Sequence, residues 1–564
     1  EGYVWDDPAV GYYLRDAGMP LDNMSNTAQV FLGTRMQCAQ CHDHPFDKWT
    51  QKEYYHMAAY TFGLQSQLPY GKIQLSKDFQ QIQRGLAQKR IKQGMDPKEA
   101  RKATQPLPSQ RRVVRDLITP MTAQAAVVDR DLRLPDDYQY ENARPKQKMS
   151  PKTPFGEAAI VGKKDDPRSV YADWLTSPDN PRFSTVIANR LWKKTMGVGL
   201  IEPVDNLTDD TLASNPELMD FLKELMVANE FDQKQYLRTL LNTRTYQSVV
   251  SAESPEPDET YYFQGPILRR MTAEQMWDSM LALAVVDLDE RVGIEPGMMK
   301  ARDGEARMAK QVERVENLDT AQAYGMVNRL TDLETRFLEY EKDYRRLVQN
   351  ATTQDQRNEL RKEYQKARSK KSQAMELYLA KLNGEDTSSM EQALRDPNSK
   401  GMVRGMSMGA GYGAGSDGLS EKAKEMKRDP RWRGMSAGMV RASEIVSPAP
   451  AGHFLREFGQ SDREIIESSS NEASITQALR LLNGETLYWL TRQNSALNVA
   501  VQETRNPSRR MDVVFQSFFS RLPTAREREL MGAQLQESSK KDKGSGYRNL
   551  LAALINTQEF RFIQ

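Results

Sequence analysis

The feature that most constrains this chain is a Cys-x-x-Cys-His motif made by Cys38, Cys41 and His42. These are the only two cysteines among 564 residues, and His42 is one of four histidines. Two thiols one helical turn apart can add to the vinyl groups of a haem while the adjacent imidazole ligates its iron. The spacing therefore predicts one covalent haem c, with thioether bonds to Cys38 and Cys41 and with His42 as the proximal ligand.

Two other chemistries use the same residue types. A redox dithiol is one alternative, although that motif normally opens the helix of a βαβ unit and no strand-rich stretch precedes it here. A structural zinc is the other, and it would need four ligands. With no further cysteine, zinc would have to recruit His44 or His56, whose spacing is unlike that of any common zinc finger.

The remaining histidines supply the other candidate site residues. His44 follows the proximal ligand by only two residues, so the backbone can hardly carry it to the opposite face of the haem. We expect it to act as a hydrogen-bond partner near the haem, with an acidic neighbour. The candidates for the distal iron ligand are His56 on the next predicted helix, Met57 beside it, and His453 in a Pro-rich loop, with an open coordination site as the alternative.

Composition limits the function classes. The chain has 79 basic and 77 acidic residues and a net charge of +2, so charge gives no reason to expect a nucleic-acid partner or binding to a membrane surface. No apolar run approaches the length of a membrane span. No catalytic triad, phosphate loop or metalloprotease motif is found, which leaves catalysis uncertain and favours a non-enzymatic role.

Apolar periodicity predicts a mainly α-helical chain. The clearest pattern alternates four and three residues apart from Met326 to Leu347, and a similar seam follows a break at 351–353. This spacing predicts two helices in a projecting antiparallel hairpin at about 320–383, with Thr353 and Gln356 as the capping box of the second helix. Lys371 lies on the seam, where we expect it to weaken the packing.

A family resemblance rests on particular blocks of sequence. The stretch from Gln37 to Gln51 resembles the planctomycete cytochrome-type domain of unknown function (family 1549). Later blocks resemble the companion domain (family 1553) that usually follows it: Asn-Pro-Arg-Phe at 180–183, Ala-Asn-Arg-Leu-Trp at 188–192, Arg-Arg-Met-Thr-Ala-Glu-Gln at 269–275, Phe-Leu-Arg-Glu-Phe-Gly-Gln at 454–460 and Leu-Ile-Asn-Thr-Gln-Glu-Phe at 554–560. The resemblance implies an exported, mainly helical haem-type protein of the bacterial cell envelope with no established reaction.

Together these patterns predict a multi-helical haem-binding domain and a larger helical domain with an inserted hairpin. The predicted divisions are a cytochrome-like region at 1–70 that lacks the N-terminal part of its family domain, an extended, charged connection at 71–165, the first part of the helical domain at 166–300, the hairpin at 301–395, a Gly/Met-rich linker at 396–430 and the second part of the helical domain at 431–564.

The favoured function is electron transfer or redox sensing through the haem. The partner would be a redox protein or an upstream cytochrome-like module. An exported haem-dependent or hydrolytic enzyme is one alternative, and a structural envelope protein that assembles through the 301–395 hairpin is another. Haem attachment implies a periplasmic or cell-surface location. The start at Glu1 without an initiator Met leads us to expect a processed or truncated chain whose signal segment is missing.

Overall fold

A computed structural model describes residues 2–7, 9–67, 69–128, 130–251, 261–263, 265–291, 296–395, 428–436, 438–460, 474–541 and 545–563. Over these ranges the chain is mainly helical and its strands are short, which confirms the predicted fold class. The predicted Gly/Met-rich linker lies outside the described residues as far as residue 427. No helix within the described ranges has an apolar stretch long enough to cross a bilayer.

The α-helices, in chain order, are α1 Val10–Arg15, α2 Pro20–Leu32, α3 Gln51–Ala58, α4 Gln74–Lys92, α5 Pro97–Ala103, α6 Pro108–Ile118, α7 Pro167–Leu175, α8 Pro181–Met196, α9 Pro216–Ala228, α10 Gln233–Leu241, α11 Ala273–Ala284, α12 Pro296–Glu316, α13 Thr320–Asn350, α14 Gln354–Leu382, α15 Ser388–Arg395, α16 Phe454–Glu457, α17 Ile475–Asn483, α18 Glu485–Leu490, α19 Ala496–Glu503, α20 Arg510–Phe519, α21 Ala525–Lys541, α22 Ser545–Ile555 and α23 Gln558–Arg561. The strands are β1 Gly2–Tyr3, β2 Leu64–Ser66, β3 Gln124–Val127, β4 Arg269–Arg270 and β5 Phe562–Ile563.

The chain divides into two compact units, and each is assembled from separate stretches of sequence. The first unit comprises Glu1–Met19, Leu64–Val128 and Met299–Ser420, and the second comprises Pro20–Gly63, Asp129–Met298 and Glu421–Gln564. These units group residues by spatial contact, and the consecutive divisions stay a prediction from the sequence. Sequence periodicity reports local structure, whereas these units arise from contacts between distant segments.

The first unit contains a small sheet and a helical core. Strand β3 lies between β1 and β2 and is antiparallel to both, with Gly2 opposite Ala125 and Leu64 opposite Val127. Helices α13 and α14 form the predicted hairpin, and the capping box of Thr353 and Gln356 at the start of α14 is confirmed. The hairpin does not simply project, because α13 also packs against α6.

The predicted extended connection at 71–165 is wrong over the helices α4 to α6. These helices bury Phe79, Val113 and Leu117 in the same core as Met326 and Leu330 of α13. The proline that begins α6 occupies the first helical position, where no backbone N–H is needed, and so it starts a helix instead of breaking one. Charged residues dominate the exposed faces of these helices, so the narrow apolar stripe on each helix was not recognised as a helical pattern.

Lys371 lies on the seam between α13 and α14, and its charge is paired there. Its Nζ lies 2.7 Å from Oε2 of Glu334, a fully buried carboxylate, and 4.5 Å from the centre of the Phe337 ring. Arg112 of α6 approaches the other carboxylate oxygen of Glu334, with its Nε 3.1 Å away. The hairpin therefore contains a buried ion-pair network that links α6, α13 and α14.

The second unit has three apolar clusters. One joins α2 and α3 to the segment from Leu132 to Leu175, a second joins α8, α9 and α10, and a third joins α11 to the C-terminal helices. Helix α3 begins with a capping box, in which Thr50 and Glu53 satisfy each other's backbone N–H groups. The first cluster supports the segment that carries the Cys-x-x-Cys-His motif.

Candidate functional site

The motif lies on a single 3-10 turn, Gln37–Gln40, followed directly by Cys41. Met36 and Ala39 point into the apolar cluster and are 1% and 0% exposed. Cys38 and Cys41 are exposed and form no disulfide. The turn therefore has an inner face that packs and an outer face that presents both thiols.

The imidazole of His42 is exposed but oriented. Its Nδ1 lies 2.8 Å from the backbone carbonyl oxygen of Asp43. Because a carbonyl can only accept, Nδ1 donates this hydrogen bond and the lone pair of the neutral ring is on Nε2. Nε2 is thus the nitrogen available to a metal.

The chain enters the motif through a sharp turn at Gly33. Its φ is +58°, and its carbonyl oxygen accepts a 2.7 Å hydrogen bond from the backbone N–H of Leu207. A Cβ at this position would lie 2.7 Å from Leu207 Cδ1 and 2.8 Å from Val186 Cγ2. Only glycine combines this left-handed backbone with such a close approach to the loop before α9.

Ion pairs tie the flanks of the motif to the same loop. Arg35 and Gln29 donate to the carboxylate of Asp205, at 2.8 and 2.6 Å. Burial alone would raise the pKa of Asp205, but these hydrogen bonds and the nearby guanidinium groups hold it below its usual value. On the far side of the motif, Lys48 pairs with Asp209.

Arg182, near the start of α8, binds the segment before the motif and the loop together. It donates to the carbonyl oxygen of Leu207 and, at 3.3 Å, to Thr34 Oγ1. Its guanidinium carbon lies 5.8 Å from the ring centre of Trp49 and 5.3 Å from that of Phe155. Burial lowers the pKa of Arg182, and nearby acidic side chains oppose that shift only in part. Sequence reasoning placed Arg182 in a family block but gave it no role at the motif.

Tyrosines of the first cluster also surround the motif. The pKa of Tyr55 is raised, mainly by burial and next by the negative charge that Cys41 carries when ionised. The hydroxyl of Tyr140 accepts a 2.7 Å hydrogen bond from the backbone N–H of Asp43. Sequence reasoning missed both residues. The two consecutive tyrosines on α3 were a visible signal for Tyr55, whereas Tyr140 is brought in from about a hundred residues away.

The histidine nearest the motif is held by its own loop. The backbone N–H of His44 donates to Trp49 O at 2.8 Å, and its Nδ1 accepts from the backbone N–H of Phe46 at 3.2 Å. The structure thus places His44 beside His42, and its Nδ1 partner is the loop backbone. Phe46, at the tip of this loop, is 92% exposed.

The candidates for the distal ligand occupy different environments. His56 on α3 has its Nδ1 2.7 Å from the carbonyl oxygen of Ser150, which leaves Nε2 as the nitrogen with a lone pair. Met57 is fully buried in the apolar cluster, so it would have to leave the core to reach a ligand. His453 caps the start of α16 and lies 4.9 Å, centre to centre, from the Trp277 ring of α11. Helix α3, which carries His56, therefore packs in the same apolar cluster as Met36 and Ala39 of the motif turn, whereas His453 lies against Trp277 of another cluster.

The outer face of the motif meets the main chemical requirements of haem c attachment. Both thiols are free and accessible, and the Nε2 lone pair of His42 is available. A zinc site would need several ligands gathered together, and across the described residues no three His, Cys, Asp or Glu side chains are so grouped. A surface groove of about 410 Å³ between the start of α8 and α9 includes no residue of the motif.

Fold and site together define a mainly helical protein that displays a Cys-x-x-Cys-His turn on its surface. Family models match two parts of the chain: PSCyt2, described as a protein of unknown function (DUF1549), at residues 15–65, and PSD1, likewise of unknown function (DUF1553), at residues 167–404. These are the two domains, in the same order, that the sequence blocks indicated, and the two matches together span just over half of the chain. No curated protein and no solved structure matches it.

Proposed function

We propose that this chain is a c-type haem protein that transfers or senses electrons in the bacterial cell envelope. One haem would be bound through thioether links to Cys38 and Cys41, with His42 as the proximal iron ligand. The proposal includes a periplasmic or cell-surface location, since haem is attached to thiols outside the bacterial cytoplasm. Its partner would be a second redox protein or a cytochrome-like module.

The observation that carries the proposal is the combined state of the three motif residues. Both thiols of the chain face outward from one turn and remain unbonded, while the proton of the adjacent imidazole is held on Nδ1 by a carbonyl. A redox dithiol would require the two thiols but gives no reason for the imidazole to be oriented in this way. A covalent haem uses all three groups.

The protein's own contribution would be to attach the haem, orient it and tune it. Cys38 and Cys41 would fix the porphyrin to an outer face that stays open to a partner protein, and His42 would bring its Nε2 to the iron. The hydrogen bond at Nδ1 would make that imidazole a stronger donor. The haem would supply the one-electron couple itself.

The test is intact mass and visible spectroscopy of the full chain exported with haem-attachment machinery. We expect the mass of one haem to be added and the Soret band to survive acid extraction in wild type. Cys38→Ser with Cys41→Ser abolishes both signals. His42→Ala changes the spin state of the iron, whereas the control His44→Ala keeps the wild-type spin state because His44 is not expected to ligate the iron. A chain with unmodified mass, or lighter by the two hydrogens of a disulfide, refutes the proposal.

The distal ligand is part of the same experiment. Because the helix that carries His56 packs in the same cluster as the motif turn, His56→Ala is expected to convert a low-spin spectrum to high-spin. A high-spin spectrum in wild type would instead indicate an open site and favour the enzymatic alternative.

A further inference from the structure

Asp43 is held on every side by hydrogen bonds. The peptide before it is anchored because its N–H donates to Tyr140 Oη at 2.7 Å. The peptide after it is anchored because the N–H of His44 donates to Trp49 O at 2.8 Å. The side chain is anchored as well, since Oδ1 of Asp43 accepts from the backbone N–H of Gln51 at 2.8 Å.

The group held by these anchors is the carbonyl that contacts His42. That carbonyl belongs to the same peptide as the His44 N–H, so its direction is fixed when the N–H is bonded to Trp49. Gln51 adds a link to the motif itself, because its Nε2 donates to Gln40 O at 3.1 Å while its side chain is almost fully buried. The peptide between Asp43 and His44 is therefore held from three directions: the start of α3, the loop carrying Tyr140 and the motif turn.

From this arrangement we infer that Asp43 and Tyr140 are positioning residues that hold His42 in the tautomer with its proton on Nδ1 and its Nε2 lone pair free. A neutral imidazole can carry its proton on either nitrogen, and the hydrogen bond at one nitrogen decides which. A fixed carbonyl beside Nδ1 keeps the ring ready for a metal before any metal is bound. The role toward haem iron rests on the proposed function. The tautomer of His42 does not depend on it, because the hydrogen bonds that set the tautomer are made within this chain.

Tyr140 is better placed for this role than its neighbour Tyr138. The two rings meet edge to face with centres 5.5 Å apart, but the Tyr138 hydroxyl donates to Asn142 and makes no hydrogen bond with the Asp43 peptide. Tyr138 therefore provides a matched control. Tyr140→Phe and Tyr138→Phe each remove one hydroxyl from the same aromatic pair, and only the first removes an anchor of Asp43.

The first measurement is nitrogen NMR of the haem-free full chain with labelled histidine, recorded with the imidazoles neutral. Only four histidine signals occur, and His42→Gln identifies the one of interest. We expect the Nδ1–H tautomer of His42 to dominate in wild type. Tyr140→Phe should lower the ratio of the two tautomers by roughly twofold to tenfold, as expected for the loss of one neutral hydrogen bond.

Variants at Asp43 separate positioning from general damage. Asp43→Asn keeps an oxygen that can accept from the Gln51 N–H and should retain the wild-type tautomer. Asp43→Ala removes that acceptor and should lower the ratio. An unchanged ratio in both Tyr140→Phe and Asp43→Ala overturns the inference, and so does an equal fall in Tyr138→Phe.

The second measurement is the reduction potential of the haem-loaded chain. A hydrogen bond from Nδ1 to a carbonyl strengthens the imidazole as a ligand and favours ferric iron, so Tyr140→Phe should raise the potential while Tyr138→Phe leaves it unchanged. If the chain takes up no haem but shows the predicted tautomers, the proposed function fails and the positioning role stands. If haem is attached and Tyr140→Phe leaves the tautomer ratio of His42 unchanged, the positioning role fails and the proposed function stands.

Discussion

The motif segment of the second unit and the α13–α14 hairpin of the first unit hold polar groups in opposite ways. Around the motif the important groups are exposed, and they are fixed by backbone hydrogen bonds, a glycine turn and the pinned peptide at Asp43. In the hairpin the central group, Glu334, is charged and fully buried, and it is held by ion pairs with Lys371 and Arg112. A surface site can therefore be oriented without a pocket, whereas a buried ion pair depends on both partners staying in place.

The hairpin shows why losing one member of an ion pair costs more stability when the pair is buried. Glu334 is fully buried, and its partners come from the two neighbouring helices, Lys371 from α14 and Arg112 from α6. An ion pair taken out of water adds little net stability, but removing one member leaves the other charge without compensation. The network thus penalises any shift of α14 along α13.

The largest expected effect comes from breaking this network. Glu334→Ala removes the carboxylate that pairs directly with Lys371, whose side chain is 10% exposed, and should destabilise the hairpin by about 3 to 5 kcal/mol. Hydrogen exchange of the α13 and α14 amides in the full chain measures this loss. The matched control is Glu359→Ala in α14, whose ion pair with Lys362 is exposed and should change stability by less than about 1 kcal/mol. Equal losses of stability in the two variants would mean that the buried ion pairs contribute no more than an exposed pair.

The same two regions show which features could be predicted from the sequence and which could not. The motif, the capping boxes of α3 and α14 and the hairpin could all be predicted because their signals are local, within a turn or a heptad. The partner of Lys371 could not, since Glu334 lies 37 residues away and only the antiparallel packing brings the two together. Tyr140 and Asp205 at the motif were missed for the same reason. Long-range polar contacts leave no periodic trace in one sequence.

The second prediction breaks the motif side of the comparison. Gly33→Ala adds a Cβ at a position with a left-handed backbone, and that Cβ would clash with Leu207 and Val186. The variant should therefore destabilise the second unit by about 2 to 3 kcal/mol. Exchange of the α2 and α8 amides is the measurement. Gly325→Ala is the control, since this glycine lies inside α13 with open space around it and should gain about 0.5 to 1 kcal/mol. A neutral result at Gly33 would show that the loop before α9 yields easily.

The smallest expected effect concerns an ion pair intermediate between the two cases. Glu385 accepts from Arg314 Nη2 at 2.7 Å and lies 3.0 Å from Lys310 Nζ, and its side chain is 26% exposed, whereas that of Arg314 is only 6% exposed. Hydrogen bonding to Arg314 is the main cause that lowers the pKa of Glu385 from 4.5 to about 2, against the opposing effect of its partial burial. The site therefore has a buried cation like the hairpin network and a carboxylate open to water like the motif.

The sign of its pH dependence follows from that lowered pKa. The stabilisation from Glu385 is fully present above about pH 4.5, the pKa of the free side chain, and is lost as the pH falls toward 2. Because the carboxylate is partly exposed, solvent screening limits the effect to roughly 1 kcal/mol or less. Glu385→Gln should remove this part of the acid destabilisation of α12 and α14, as followed by exchange at several pH values, while Glu359→Gln keeps the wild-type slope. If Glu385→Gln instead destabilises the unit at pH 7 as much as Glu334→Ala does, the buried guanidinium of Arg314 decides the energetics, and this pair belongs with the buried network.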